Sequence, residues 1–310
     1  MEWLYYKLYV LLLIELVHKY PTHFKALYLL QTDLHSTQFW QNLAPQLSIN
    51  KYFQTTNPIT ISPEVMEEIS RSMEQDSYLL LSSLIDKSET DAIRDCIFSL
   101  TDIGLPPVFV YIYDQPWALF ERLRPIIELF LGNRFSLLPN FWAWHIPPIK
   151  GASGWPAHTD CSAQTRFESA DGGTTFMSMS FWIPLTDATI ENGCMAILPK
   201  SREILYNAPI TDPNQIIPQD AINLPAKSGS VIGWSQDLYH WSRHVTTNLV
   251  TPRVSLSLEF QNPAFTPLIR PLLNIAHPPL FKERLALIFS QFEKYKDMEP
   301  VNFQKNQQYF

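Results

Sequence analysis

His158 and Asp160 stand two residues apart in the stretch Trp155-Pro156-Ala157-His158-Thr159-Asp160. On an extended segment the two side chains leave the same face, so an imidazole and a carboxylate arrive side by side. That is two thirds of a 2-His-1-carboxylate facial triad, the ligand set of non-haem Fe(II) centres. The pair alone decides little. With 8 His and 30 acidic residues in the chain, about one His-x-acid match is expected by chance. The commoner origin of such a pair is a polar turn before a strand, so the surrounding sequence has to carry the argument.

A third ligand has to come from a later strand, and His240 and His244 both qualify. If 240–246 is a strand, His240, Ser242 and His244 share one face. Beyond them residues 253–260 alternate cleanly. Val254, Leu256, Leu258 and Phe260 form one face, and Arg253, Ser255, Ser257 and Glu259 the other. In a barrel wrapped by helices the apolar face packs outward, which turns Arg253 and Ser255 into the lumen. A buried guanidinium is costly without an anion. The distal carboxylate of 2-oxoglutarate satisfies it with a bidentate contact, and Ser255 adds a hydrogen bond.

The elements that must position these residues follow from periodicity. Helices are expected near 3–18 and 36–45, and Ser62-Pro63-Glu64 starts another as cap, first-turn proline and first-turn acid. Residues 78–85 read as a buried strand, a helix capped by Ser88 or Thr90 runs to Leu100, and 108–113 reads as a second strand. Pro116 opens a helix to about Leu131, closed by Gly132-Asn133. Short alternating segments then occupy 135–146, 176–183, 194–198, 230–234, 240–246 and 253–260, the pattern of an all-β barrel or sandwich. Met177, Met179 and Phe181 read as packing and Ser178, Ser180 and Trp182 as lumen, with Trp142 and Trp144 assigned to the core. From Pro279 apolar residues return at helical spacing. The organisation expected is one domain over 1–310: mainly helical support in 1–134, the barrel in 135–262, and a helical tail in 263–310.

Composition sets the outer limits. The 310 residues are 46% hydrophobic and 13% aromatic, ample for a large core. A net charge of -7 with no basic run argues against nucleic acid. Cys96, Cys161 and Cys194 are few and widely spaced, which points to a reducing, cytoplasmic compartment without structural zinc. The apolar run from Leu8 to Val17 is too short and too closely bracketed by charge to span a membrane. A buried or partner-facing helix is expected there, and with it a route to a homo-oligomer but no stable membrane insertion.

With these pieces in place the chain resembles the phytanoyl-CoA dioxygenase-like (PhyH-type) Fe(II)/2-oxoglutarate-dependent oxygenases. The matching stretches are His158-Thr159-Asp160, residues 181–188, residues 191–201 with the Asn192-Gly193 turn and Pro199-Lys200-Ser201, His240-Trp241-Ser242, and Arg253 with Ser255. They stand in the right order over roughly residues 140–260. The resemblance implies an α+β fold whose double-stranded β-helix, a jelly-roll or cupin-like barrel, is wrapped by N-terminal and C-terminal helices. It implies Fe(II) on His158, Asp160 and His240, because relatives place a Ser two residues after the distal His and Ser242 fits. It also implies 2-oxoglutarate on Arg253, with Ser242 and Trp182 alongside, O2 as co-substrate, and ascorbate as a supporting reductant. Halogenating relatives lack the carboxylate ligand, so with Asp160 present hydroxylation of a small metabolite or natural-product intermediate is expected, and desaturation or cyclisation is open to the same chemistry.

Two other classes compete. A zinc hydrolase uses the same His-Asp-His set with a bound water, but leaves an inward Arg253 and Ser255 without a purpose. A barrel that only binds its ligand has no need of an intact triad. The substrate itself is not legible. The polar stretch 161–175 leaves the triad and carries Gly172-Gly173; it is expected to act as a lid, with Arg166 and His244 as the groups meeting substrate. The competing expectation is a surface excursion with Arg166 paired to Glu168 or Asp171.

Overall fold

The computed structural model describes residues 33–51, 58–169 and 172–295. The helix expected over 3–18, and any oligomer contact through it, lies outside the described residues. α1 (Thr37–Leu43) is capped by Ser36, whose hydroxyl accepts from the Phe39 N–H. α2 (Pro63–Asp76) starts as its sequence dictates, with the Ser62 hydroxyl accepting from the Val65 N–H and Pro63 in the first turn. β1 (Tyr78–Leu81) is shorter than the apolar run it lies in, because the chain turns at Ser83 with a positive φ of 49°. α3 (Lys87–Asp102) begins after Asp86, not at Ser88 or Thr90. Thr90 is buried in its first turn and donates to the Lys87 carbonyl at 2.9 Å.

Residues 108–113 are not a strand. Residues 108–112 lie in a 3-10 helix, Pro107–Ile112, with Tyr113 as its C-cap, and Val108 through Tyr113 are fully buried. Burial on every side erases the periodicity that separates strand from helix, and Pro107 is ready-made for a first helical turn. The Tyr111 hydroxyl donates to the Ser257 carbonyl at 2.7 Å and that of Tyr113 to the Trp40 carbonyl at 2.6 Å. The helix expected from Pro116 to Leu131 is likewise two, α4 (Asp114–Glu121) and α5 (Arg124–Leu131). Pro125 has no N–H to continue the first ladder, so the chain breaks at Leu123 and restarts.

The strands follow as β2 (Ser136–Ile146), β3 (Arg166–Glu168), β4 (Thr174–Phe176), β5 (Ser178–Pro184) and β6 (Met195–Ile197). After the single turn of α6 (Lys200–Glu203) come β7 (Ile222–Leu224), β8 (Val231–Ser235), β9 (His240–Ser242), β10 (Arg253–Gln261) and the C-terminal α7 (Phe281–Lys294). A five-stranded antiparallel sheet has the order β1-β8-β5-β10-β2, and a three-stranded antiparallel sheet the order β7-β6-β9. β3 and β4 form a separate hairpin spanning residues 166–176, where the sequence predicts a polar loop up to residue 175. β7 was also unforeseen. β9 ends at Ser242, four residues early, because the Asn192-Gly193 turn crosses it. A Cβ at Gly193, whose φ is +83°, would stand 2.4 Å from the Arg243 carbonyl oxygen.

One face of the large sheet packs on the helices. Phe181, Ile183, Val254, Leu256, Leu258 and Phe260 belong to the same apolar core as Ile93, Ile97, Phe109 and Phe120. The opposite face meets the small sheet through Trp182, Ile232 and Trp234 against Cys194, Met195, Ile197 and Leu224. The alternation along β10 therefore has the sense its sequence requires, apolar outward and polar between the sheets. Among the described residues no helix is long and apolar enough to cross a membrane.

α7 is held by a buried ion pair. Arg284, 2% exposed, meets Asp114 at 2.7 Å and also donates to the carbonyls of Pro279 and Ile112. Asp114 in turn accepts from Ser48, Asn50 and Lys51. Removing one partner strands the other in the core, which costs about 3–5 kcal/mol. Asp114→Ala is therefore expected to lower the unfolding free energy by about that amount in urea titration, whereas Arg71→Ala, at an exposed i,i+4 pair with Glu67, leaves the midpoint unchanged.

Candidate metal centre and cavity

His158 and His240 are placed by the backbone before their side chains are considered. The two residues form an isolated antiparallel bridge, with His158 N–H to His240 O at 3.1 Å and His240 N–H to His158 O at 3.0 Å. Their ring centroids are 4.3 Å apart. Each imidazole is fixed through Nδ1–H by a carbonyl two residues earlier, His158 on Pro156 at 2.7 Å and His240 on Leu238 at 3.0 Å. A carbonyl can only accept, so both rings carry the proton on Nδ1 and turn the Nε2 lone pair toward Asp160. Asp160 Oδ1 lies 3.6 Å from each Nε2. Asp160 Oδ2 is fully occupied, accepting from Ser180 Oγ at 2.6 Å and Trp234 Nε1 at 3.0 Å.

The three potential ligand atoms lie within 4.8 Å of one another, and His158 Nε2 is buried without a hydrogen-bond partner. Two Nε2 lone pairs and one free carboxylate oxygen converging on a point are the donor set of a divalent transition metal. Electrostatics agree with that chemistry. Burial disfavours charge on Asp160, but His240, His158 and Ser180 outweigh it and hold the carboxyl well below the usual carboxylate range. Burial pushes His240 down to about 4 against the pull of Asp160. In His158 burial is overcome by Asp160 and the Pro156 carbonyl, and the ring stays above its ordinary value.

The site opens into a cavity between the two sheets, lined by Trp144, Trp155, Trp182, Trp234, Arg253 and Glu259 among others. Arg253 stands in its wall, 2% exposed, with its guanidinium over the Trp182 ring at 5.6 Å. It donates from Nη2 to Ser242 Oγ at 2.9 Å, while its Nε is buried without a partner. No carboxylate is paired with it among the described residues, and burial pushes the guanidinium down to about 10. Such a group calls for an anion. Gly154 makes room for this arrangement, since a Cβ there would approach Ser242 Cβ at 2.9 Å and Arg253 Nη2 at 3.1 Å. The Gly154 N–H donates to Ser242 Oγ at 2.9 Å. Ser255 is fully buried on the same face of β10 with its hydroxyl unpartnered, but it is not among the residues lining the cavity.

Two expected contributors lie elsewhere. His244 is exposed beyond the end of β9, its Nδ1 3.3 Å from the Gly151 carbonyl, and it does not reach the cavity. Arg166, in β3, donates to the Glu74 carbonyl and, at 3.3 Å, to Ser77 Oγ. It fastens the β3–β4 hairpin to the end of α2 and is not among the residues lining the cavity. Trp144 is corrected the other way. It lines the cavity, while Trp142 stays in the core against Trp155 and Tyr295. Ser180, Trp234, Gln236, Glu259 and Tyr295 were not foreseen as site residues. For Ser180 and Glu259 the signal existed, since both occupy polar positions on alternating strands; Tyr295 lies far off in sequence and carried none.

Residues 128–253 match the family model of phytanoyl-CoA dioxygenase (PhyH), a span holding all three clustered side chains and ending on Arg253. Over that span, which is less than half of the chain, the sequence is similar to the PhyH family. No curated protein matches it. Among solved structures it is similar to AviO1 from Streptomyces viridochromogenes Tue57, at 16% identity and a TM-score of 0.51 over 67% of this chain and 99% of that one. EvdMO1 aligns at 19% identity and a TM-score of 0.51 over 64% of this chain and 50% of the other. HygX from Streptomyces hygroscopicus, solved with nickel and 2-oxoglutarate bound, aligns at 14% identity and 0.49 over 67% and 89%. At these identities the likeness is one of fold.

The bond from Ser180 to Asp160 Oδ2 is what keeps Oδ1 aimed at the imidazoles. Groups that orient metal ligands are worth about 10–100-fold in affinity. Ser180→Ala is expected to weaken Co(II) or Fe(II) binding by that factor in anaerobic calorimetry while leaving thermal unfolding of the metal-free protein nearly unchanged.

Proposed function

We propose that the protein is an Fe(II)/2-oxoglutarate-dependent oxygenase with a double-stranded β-helix core, acting on a C–H bond of a small molecule, with hydroxylation as the favoured outcome. The observation that carries this reading is the pairing, in one cavity, of a His158/Asp160/His240 cluster with a buried guanidinium that lacks an anion. The PhyH match over the same residues supports it. His158 Nε2, Asp160 Oδ1 and His240 Nε2 would hold the iron, and Arg253 the distal carboxylate of 2-oxoglutarate. When bound, iron with 2-oxoglutarate and O2 supplies the oxidising power, releasing succinate and CO2.

The chain's own residues do the rest. The Pro156 and Leu238 carbonyls keep both imidazoles in the ligating tautomer. Ser180 and Trp234 neutralise one oxygen of Asp160 so that the other carries the ligand charge. Ser242 and Trp182 hold the guanidinium plane of Arg253. Aromatic side chains, Trp144, Trp155, Trp182, Trp234 and Tyr295 among them, line the cavity, and such low-dielectric walls strengthen each of these contacts. A zinc hydrolase accounts for the triad but gives Arg253 no work.

The test is succinate formation from 2-oxoglutarate after chelation and metal add-back. Fe(II) restores turnover and Zn(II) does not; recovery with zinc alone, without 2-oxoglutarate consumption, would point to the hydrolase. His158→Ala, Asp160→Ala and His240→Ala each abolish turnover, and His244→Ala leaves iron affinity intact. Arg253→Leu removes a charge-assisted contact of about 2–5 kcal/mol, so its 2-oxoglutarate Kd rises by about 30-fold or more, with iron affinity retained.

A further inference from the structure

The cavity holds a second carboxylate that the proposed chemistry does not use. Glu259, 8% exposed in the cavity wall, sits on β10 three pleats from Arg253, on the same face. Its Oε2 is filled, accepting from Asn140 Nδ2 at 2.6 Å and Gln236 Nε2 at 2.7 Å. Its Oε1 is hardly engaged, with the Tyr295 hydroxyl at 3.4 Å and Lys294 Nζ at 3.9 Å. Lys294 is one-third exposed and too far for a hydrogen bond, so water screens most of its charge. A buried carboxylate with one oxygen held only by a long bond from Tyr295 and a distant, screened Lys294 has capacity for a further donor, and a cationic one most of all.

The surface leading to Glu259 has the matching character. The Tyr295 ring lies 4.5 Å from Trp155, Trp155 lies 5.2 Å from Trp144, and Trp155 also lies 5.7 Å from the His158 ring. A continuous aromatic wall thus runs from the carboxylate past the metal-ligating face. Aromatic faces beside an acid favour an ammonium over a neutral group of equal size. The charges of the cavity divide cleanly on this basis: Asp160 belongs to the metal, Arg253 to an anion, and Glu259 is left for the substrate.

We infer that the substrate carries a basic amine, bound as an ammonium by Glu259 and the Tyr295–Trp155–Trp144 wall, which sets the neighbouring carbons of the substrate beside His158 and His240. This rests on the oxygenase reading of the same cavity. Burial raises the Glu259 carboxyl above its ordinary range despite Lys294, a cost that an incoming cation would relieve.

The probes are 2-phenylethylammonium and its neutral counterpart 2-phenylethanol, titrated anaerobically by calorimetry into the full chain loaded with Fe(II) and 2-oxoglutarate. One charge-assisted hydrogen bond in a buried site predicts that the ammonium binds about tenfold or more tightly than the alcohol. In Glu259→Gln, which is isosteric and still accepts from Asn140 and Gln236, the ratio should fall to near one while iron and 2-oxoglutarate affinities hold. Equal affinity for the two probes, no detectable ammonium binding, or a preference that survives in Glu259→Gln would overturn the inference. The wild-type comparison needs no variant, so a poorly folding Glu259→Gln protein does not blunt it. Failure of iron or 2-oxoglutarate to bind in the loading step would instead count against the oxygenase reading, which separates the two outcomes.

Discussion

The two oxygens of Asp160 live in different worlds, and the site depends on that asymmetry. One accepts from a serine hydroxyl and an indole N–H; the other faces two imidazole nitrogens and nothing else. A carboxylate satisfied on both oxygens would be a structural group, and one satisfied on neither would be too costly to bury. Half-satisfaction leaves a single, directed anionic donor. The imidazoles obey the same logic, each spending Nδ1 on a backbone carbonyl and keeping Nε2 for the centre.

The scaffold converts that local chemistry into a cavity with two ends. β10 is an interior strand of the large sheet, between β5 and β2, and its period of two puts Arg253, Ser255, Ser257 and Glu259 on the face between the sheets. A positive and a negative group thus stand on one strand, separated by two serines, with the clustered triad between the sheets beside them. Ser180 opposes Glu259 across the β5–β10 ladder, and Gln236 donates to both. Through these contacts the carboxylate of Asp160 and that of Glu259 share one hydrogen-bonded network. The helices take the opposite face of the sheet and give it the rigidity that placing a metal ligand within a fraction of an ångström demands.

Much of this was legible in the sequence because period two is read directly. The alternation of 253–260, the spacing of His158 and Asp160, and the Ser-Pro-Glu start of α2 each map onto structure with a single local rule. What escaped did so for physical reasons. The 108–113 run is buried on all sides, and full burial removes the periodicity that tells a 3-10 helix from a strand. His244 was drawn toward the site by assuming that β9 continues, whereas the close crossing of Gly193 over Arg243 ends it. Arg166 looked available because its acceptors, a helix-end carbonyl and Ser77, are tertiary neighbours that no local pattern reveals. Tyr295 reaches the cavity only because α7 folds back over β2 and the 3-10 helix, a consequence of packing and not of motif.

The most direct measurement of the central claim is a crystal structure of the protein grown without oxygen in the presence of Fe(II) and 2-oxoglutarate. The account predicts one iron bonded to His158 Nε2, Asp160 Oδ1 and His240 Nε2, with the distal carboxylate of 2-oxoglutarate on the Arg253 guanidinium and Asp160 Oδ2 still accepting from Ser180 and Trp234. Iron on His244, iron bound through Asp160 Oδ2, or 2-oxoglutarate lying away from Arg253 would contradict it.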